Sequence, residues 1–553
     1  MVASMFVEEI KSKQNGKIYK TYLIRETFRE NGKVKHRTVG NISRCSAKEI
    51  EAIKLALHHK DDLESLKSIA ESFQLEQGNS IGAVWILYDL ARQLGISQAL
   101  GTSRQAKLAL WQVIARVIDQ GSRLSAVRLA QTHAACDILD LEAFNEDDLY
   151  FNLDWLCENQ HKIENRLFRK RYSVAPQLFL YDVTSTYLEG VKNALAAFGY
   201  NRDKKKGKLQ LVVGLLCDEL GVPLSIEVFK GNTQDPQTFA PQIEKVAQRF
   251  GGQEVTFVGD RGMIKSKQVE ALLNEKFHYI TAITKPQIET LLKAEVFDMG
   301  LFDEEIAEVF TDDGLRFILR RNPLRAQQIQ STRENKLKSV RKRVTKKIHY
   351  LKNHSRAHPN TAKKEISGYI EQLGLADWVT VRYRRRLLML DIDEDKLTEI
   401  SKLDGCYVLK TDLAKEKADK EIIHDRYKDL KLVEWAFRTE KTVHLEIRPV
   451  NVRKENRTRG HVFVVMLAYI LVQELTKRWR DIDKTVEEGI KELAQLCAHR
   501  VVMDGRSRLN KVPTPRPSSK KLLETARVTV PEIIPCKGIS VATRAKLPDK
   551  RKP

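Results

Sequence analysis

Only seven of the 553 residues are cysteine, and none stands in a C-x-x-C pair. Scattered (Cys45, Cys136, Cys157, Cys217, Cys406, Cys497, Cys536) and odd in number, they argue against a disulfide framework or a zinc site and suit a reducing cytoplasm. Long apolar runs are missing too. The longest, Val462 to Val472 in GHVFVVMLAYILVQEL, is too short to span a bilayer and meets Gln473 and Glu474, so it reads as a buried helix. No charged and then apolar leader opens the chain, which speaks against secretion. Negative charge is also short: 73 Asp and Glu face 95 Lys and Arg, a net charge of +22. Such an excess points to a polyanionic partner, nucleic acid or an anionic membrane surface.

What is present suffices to fold, with 42% hydrophobic residues in a chain too long for one compact core. Residues 1–75 begin with alternating polar and apolar residues in KIYKTYLIRETFRENGKVKHRTVGNI, with Asn31-Gly32 as a hairpin turn, and predict a small basic sheet and a linker. Residues 76–172 change to helical spacing in AVWILYDLARQLGI, QAKLALWQVIARVIDQ and DLYFNLDWLCENQHKIENRLF, with Asn145 and Asp147 as caps for the last. Residues 173–289 alternate strands and helices after a hairpin in LQLVVGLLCDELGVPLSIEVFKG, which implies a mixed sheet covered by helices. Residues 290–403 break that rhythm as a basic insertion, densest over 319–354. A solvated helix face is the plain alternative there, but a run almost wholly of one sign favours phosphate contact. Core strand material resumes at GCYVLKTD within 404–500, and 501–553 forms a basic, Pro-rich tail expected to be disordered beyond about 505.

Three carboxylates stand out. Asp182 follows Leu178, Phe179, Leu180 and Tyr181 at the expected end of an apolar strand. An unpaired charge there costs several kcal/mol unless a cation or donors meet it. Capping a turn through Thr184 or Ser185 is the commoner use of such an aspartate. Asp260 likewise lies just past the apolar part of EVTFVGD, and two such strand ends can lie side by side at a cleft. The third lies in HDRYKDLKLVEWAFRTEKTVHLEIRPV, where Tyr427, Leu430, Glu434, Arg438 and Lys441 share one helical face. Glu440 points away from that face, and Glu446 falls in extended chain beyond the helix.

On these residues the chain resembles the IS4-type DDE transposases. Tyr427, Glu434 and Lys441 fit the signature Y-(2)-R-(3)-E-(6)-K in register, with Leu430 at the signature's arginine. Phe437-Arg438, RPV at Arg448 to Val450, RGH at Arg459 to His461, YDVTS around Asp182 and GDRGM around Asp260 are more similar to the IS1634 group. The resemblance implies an α/β fold: an RNase H-like mixed sheet with helices on both faces, an insertion before the last catalytic helix, and a helical N-terminal region preceded by a small β sheet. It implies an insertion-sequence transposase that cuts element ends and joins them to target DNA. Asp182, Asp260 and Glu434 would be catalytic and hold two Mg2+ ions, with Mn2+ able to substitute. Tyr427, Arg438, Lys441, Arg261, Lys265, Arg341, Lys342 and Arg343 are the expected DNA contacts; surface ion pairs with Glu434 or Glu440 stay open for Arg438 and Lys441.

The expected partners are double-stranded DNA, terminal inverted repeats and target DNA, with no membrane, a dimer assembled on DNA, and the nucleoid as place of work. A hairpin on the excised end is implied by the wider family alone. His461 reads as a capping or packing residue rather than a general base. Two other classes stay open: a catalytically silent, domesticated DNA-binding relative, and a structural basic protein bound to RNA.

Overall fold

The computed structural model describes residues 4–14, 17–30, 32–58, 60, 73–203, 205–442, 445–447, 450–503 and 506–544. Alternation in the first segment produces an antiparallel sheet of β1 (Ser4–Gln14), β2 (Lys17–Glu30) and β3 (Lys33–Asn41). Asn31 of the expected turn lies outside the described residues. Glu30 nevertheless pairs with Lys33 around Gly32, whose φ of +77° is the left-handed geometry a tight hairpin demands. After β4 (Phe73–Ser80) come helices from Gly82–Gln93 to Glu146–Arg171. Asn145 caps the last of these in a reciprocal pair with Asp148, while Asp147 lies within its first turn.

The central sheet takes β5 (Leu178–Tyr187), β6 (Gln210–Asp218), β7 (Pro223–Lys230), β8 (Thr256–Gly259), β9 (His278–Ala282), β10 (Ala307–Phe310) and β11 (Arg316–Arg321). Beyond β12 (Val379–Arg384) and β13 (Leu387–Ile392), which pair only with each other, β14 (Cys406–Thr411) joins it. The order is β10-β11-β14-β9-β8-β5-β6-β7, with β5, β8 and β9 mutually parallel and the other pairs antiparallel. Its first five strands in the chain thus run 3-2-1-4-5, the RNase H-like arrangement. β5 does not end at Asp182: it continues to Tyr187 against β6, and only its parallel pairing with β8 stops at Tyr181↔Gly259.

Strand alternation sorts β5 between two cores. Phe179, Tyr181 and Val183 pack with Phe239, Ile243 and Leu272 of the helices Asp235–Gln248 and Ser266–Asn274. Leu178 and Leu180 belong to the larger core shared with Val433, Ala436 and Phe437 of the helix Leu430–Lys441 and with the helix Glu455–Arg478. That last helix is long and apolar enough to cross a membrane, yet Val462 to Val472 are buried inside the protein. Gly460 lets it approach the helix Glu146–Arg171, since a Cβ there would stand 2.1 Å from the carbonyl oxygen of Leu153.

The structure departs from the sequence reading in two segments. Within 290–403, β10 and β11 extend the central sheet, and the inserted body is the helix pair Pro323–Asn353 and Pro359–Gln372, the β12–β13 hairpin and the helix Glu394–Lys402. It has its own core of Val340, Val344, Ile366, Ile370, Trp378 and Val381. The C-terminal stretch is folded rather than disordered through Arg544, and residues 545–553 lie outside the described set. β15 (Cys497–Met503) pairs with β4 and with β16 (Arg506–Lys511), which meets β17 (Ile533–Ile534). Leu522, Leu523, Val528 and Val541 are buried, and Trp479 donates through Nε1 to the carbonyl of Leu522 at 3.0 Å. Too few apolar residues, spaced too far apart, left no periodic signal there.

Candidate active site

Register brings the first two carboxylates together. Leu178–Tyr181 of β5 run parallel and in step with Thr256–Gly259 of β8, so Asp182 and Asp260 each follow the last register pair, Tyr181 and Gly259, by one residue. Alternation then sets their side. Asp182 continues the series of Leu178 and Leu180, and Asp260 follows Val258 by two, which turns both toward the face covered by the helix Leu430–Lys441. Glu434 lies on that helix and is exposed.

Asp182 is partly accessible but densely surrounded. Burial pushes its pKa up to about 7, opposed by the backbone N–H of Val183, which donates to Oδ1 at 2.7 Å. The carboxylates of Asp260 and Glu434 raise it further, whereas Arg202 lowers it. Asp182 therefore feels both other carboxylates, and among the described residues no cation forms an ion pair with any of the three.

The expected single helix carrying Tyr427 to Lys441 is two. Lys420–Lys428 ends at Asp429, which also starts Leu430–Lys441. Asp429 keeps helical angles, φ −65° and ψ −14°, so the axis shifts without a loop. Tyr427, on the first piece, donates its hydroxyl to Oδ1 of Asp260 at 3.2 Å. Leu430, at the position of the signature arginine, is buried in the core and faces no solvent. Glu440 is buried as well; desolvation pushes its pKa up to about 8, and its Oε1 has no hydrogen-bond partner.

The other expected contacts separate into two groups. Arg261, Lys265 and Arg438 are exposed, Arg438 with its guanidinium 5.7 Å from the Trp435 ring centre. On the inserted helix Arg341, Lys342 and Arg343 are exposed, Arg343 over the Tyr369 ring at 4.4 Å. Lys441 was read as a phosphate holder, but its ammonium donates to Thr184 Oγ1 at 2.6 Å, Ser185 O at 2.5 Å and Asp203 Oδ1 at 3.0 Å. It thereby ties the Glu434 helix to β5. Sequence reasoning overlooked Arg202 and Asp203. Arg202 donates through Nη2 to both oxygens of Asp235 at 2.9 and 2.7 Å, and its backbone N–H reaches Ser185 Oγ at 2.8 Å. Lys204, next in the chain, lies outside the described residues, as do Arg448 and Pro449 of the RPV motif. His461 is buried and accepts from Arg123 Nη2 at 2.9 Å, a packing role as expected.

Among the described residues no three His, Cys, Asp or Glu side chains stand close enough, as placed, to ligate one ion. The donor set nonetheless fits a hard divalent cation: three carboxylates and no sulfur or imidazole, with the pKa of Asp182 held up by burial and by the other two carboxylates.

Residues 175–471, more than half of the chain, match the transposase DDE domain family, and residues 7–71 match the N-terminal domain of IS1634 family transposases. The piggyBac transposase in its synaptic complex with hairpin DNA is similar in structure, with TM-score 0.36 and 9% identity over 70% of this chain and 69% of that one. Mos1 transposase in a paired-end complex with a left transposon end gives TM-score 0.15 and 13% identity over 32% and 58%. No curated protein matches the chain. The chain belongs to the DDE transposases. Within them it is an IS1634-like insertion-sequence transposase, an enzyme that binds DNA and cuts and rejoins it with divalent metal ions.

Proposed function

We propose that Asp182, Asp260 and Glu434 are the catalytic, metal-holding residues, and that the chain nicks the terminal inverted repeats of its element and joins the released 3'-ends to target DNA. The observation that carries this reading is that Asp182 and Asp260 each follow by one residue the last parallel pair of β5 and β8, Tyr181 and Gly259, in strands that share a core with the Glu434 helix. Two Mg2+ ions, replaceable by Mn2+, supply activation of the entering oxygen and stabilisation of the leaving one when bound. Glu434 is exposed on its helix and, among the described residues, forms no ion pair, so its carboxylate is open to a metal ion. Tyr427 orients Asp260 through its hydroxyl, and Lys441 holds the Glu434 helix against β5. Arg261, Lys265, Arg438, Arg341, Lys342 and Arg343 hold phosphates, the arginines through their planar fork. The chain works as a dimer assembled on DNA at the nucleoid.

The test is cleavage of end-labelled DNA carrying the element's terminus, with Mg2+, Mn2+, Ca2+ or EDTA. A nick at the terminus in Mg2+ and Mn2+, absent in EDTA, is expected. Binding without cleavage under every condition would favour the silent relative instead.

A further inference from the structure

Where the helical region meets the chain leaving the Glu434 helix, a cavity of about 190 Å3 opens between Arg116, Ser122, Arg123, Glu446, Asn451 and His461. Its two arginines are unusual. Each is only 5% exposed, and among the described residues neither forms an ion pair with a carboxylate. Arg116 donates through Nη1 to the carbonyl of Gln120 at 2.5 Å, while its buried Nε–H has no partner. Arg123 donates to Gln112 Oε1 and, through Nη2, to His461 Nδ1 at 2.9 Å. Burial and both guanidiniums hold the His461 pKa well down, so it accepts as a neutral ring and brings no further positive charge. Each guanidinium carries five N–H donors, and among the described residues the buried Nε–H of Arg116 has no acceptor.

Two buried cations side by side cost stability unless an anion compensates. The nearby acids do so only through space: Asp119 accepts from Ser125 Oγ, and Glu446 lies exposed at the rim. The helix Arg123–Thr132 also starts here, capped by Ser122, and adds the positive end of its dipole.

We propose that this cavity is a second anion site, separate from the carboxylate cluster, that takes one phosphate group of a DNA strand held by Arg116 and Arg123. The proposal rests on the reading of the chain as a DNA-cutting enzyme. Asn451 and Val452 at the cavity follow Val450, which bridges Leu188 at the end of β5. Leu188 is six residues along from Asp182, about 20 Å at strand rise. The cavity therefore lies past the end of the strand that carries Asp182, on the chain that leaves the Glu434 helix. The site would fix the register of the DNA relative to the cut rather than take part in it.

The experiment uses the full chain in Ca2+, where binding is read without cleavage. Anisotropy of labelled terminal DNA is measured across salt concentrations for the parent, Arg116→Met and Ser122→Asp. Melting is followed in sodium phosphate against sodium chloride at equal ionic strength. Ser122→Asp keeps the helix cap at an exposed position while adding a negative charge at the mouth, so it serves even if Arg116→Met fails to fold. Inorganic phosphate should raise the parent's melting temperature and not the variants'. DNA affinity should fall by about tenfold, with the salt slope reduced by about one. Parental affinity and slope in Ser122→Asp would overturn the proposal. A phosphate effect on melting without any change in DNA binding would assign the site to free phosphate and overturn it as a DNA contact. Failure of the parent to cleave DNA in Mg2+ would count against the proposed function, while these binding measurements would still be readable.

Discussion

Asp182 is a carboxylate whose burial, with Asp260 and Glu434 nearby, outweighs the pull of Arg202, so its charge opposes folding. Its folded pKa of about 7 lies above the ordinary 3.8, and the folded protein therefore holds the proton more tightly than the unfolded chain. Stability should fall as pH rises from about 4 to about 7 and level off above, by about 4 kcal/mol at most. In EDTA, Asp182→Asn should melt above the parent at pH 8, with the gap closing by pH 4. A gap that is constant with pH would contradict the raised pKa of the buried Asp182. Glu440 obeys the same sign with its window extending to about 8. Glu440→Gln keeps the shape of a buried carboxyl that is mostly protonated at neutral pH, so it should be more stable than the parent at pH 9, most visibly in thermal melts, and retain cleavage. Of this chemistry, the shared helical face and the fit to the family signature together pointed to Tyr427 and Glu434. Arg202 and Asp203 escaped because only the folded loop brings them to Ser185, Tyr187 and Lys441.

At the scale of elements, one helix read from periodicity is two, because Asp429 interrupts the series while keeping helical angles and so leaves the spacing nearly intact. The inserted helix Pro323–Asn353 was legible by its charge, whereas the strands before it were not. β10 and β11 are short, and their place in the sheet is fixed by β14, almost ninety residues on. On that helix Arg341, Lys342 and Lys346 are exposed and form no ion pair among the described residues, while Lys347 pairs with Glu365. Replacing Arg341, Lys342 and Lys346 by Gln should weaken DNA binding and flatten the slope of log K against log salt by about two to three, as for three lost phosphate contacts. An unchanged slope would remove this helix from the DNA interface. The hairpin β12–β13 turns through Arg385 and Arg386 at φ 46° and 70°, an uncommon geometry for non-glycine residues. Arg386 offsets that by donating to the carbonyls of Leu351, His354 and Ser355 at the end of the long helix.

Across the whole molecule, the C-terminal stretch closes the helical region: β15 and β16 continue the sheet begun by β4, and Trp85 Nε1 reaches the carbonyl of Thr529 at 2.9 Å. Truncation after Pro515 would uncover Trp479 and discard the buried Leu522, Leu523, Val528, Ile534 and Val541. At about 1.5 to 3 kcal/mol for each large side chain, the loss should exceed about 5 kcal/mol and appear as a clear drop in melting temperature. An unchanged melt would show that these residues fold independently of the rest. The central claim concerns the assembly of Asp182, Asp260 and Glu434 from two strands and a helix. Its most direct test compares Glu434→Gln with Glu440→Gln, six residues apart on one helix, in Mg2+-dependent cleavage of a labelled element end, with binding measured in Ca2+. The account predicts that Glu434→Gln binds like the parent and fails to cut, while Glu440→Gln does both. Near-normal cutting by Glu434→Gln would contradict it.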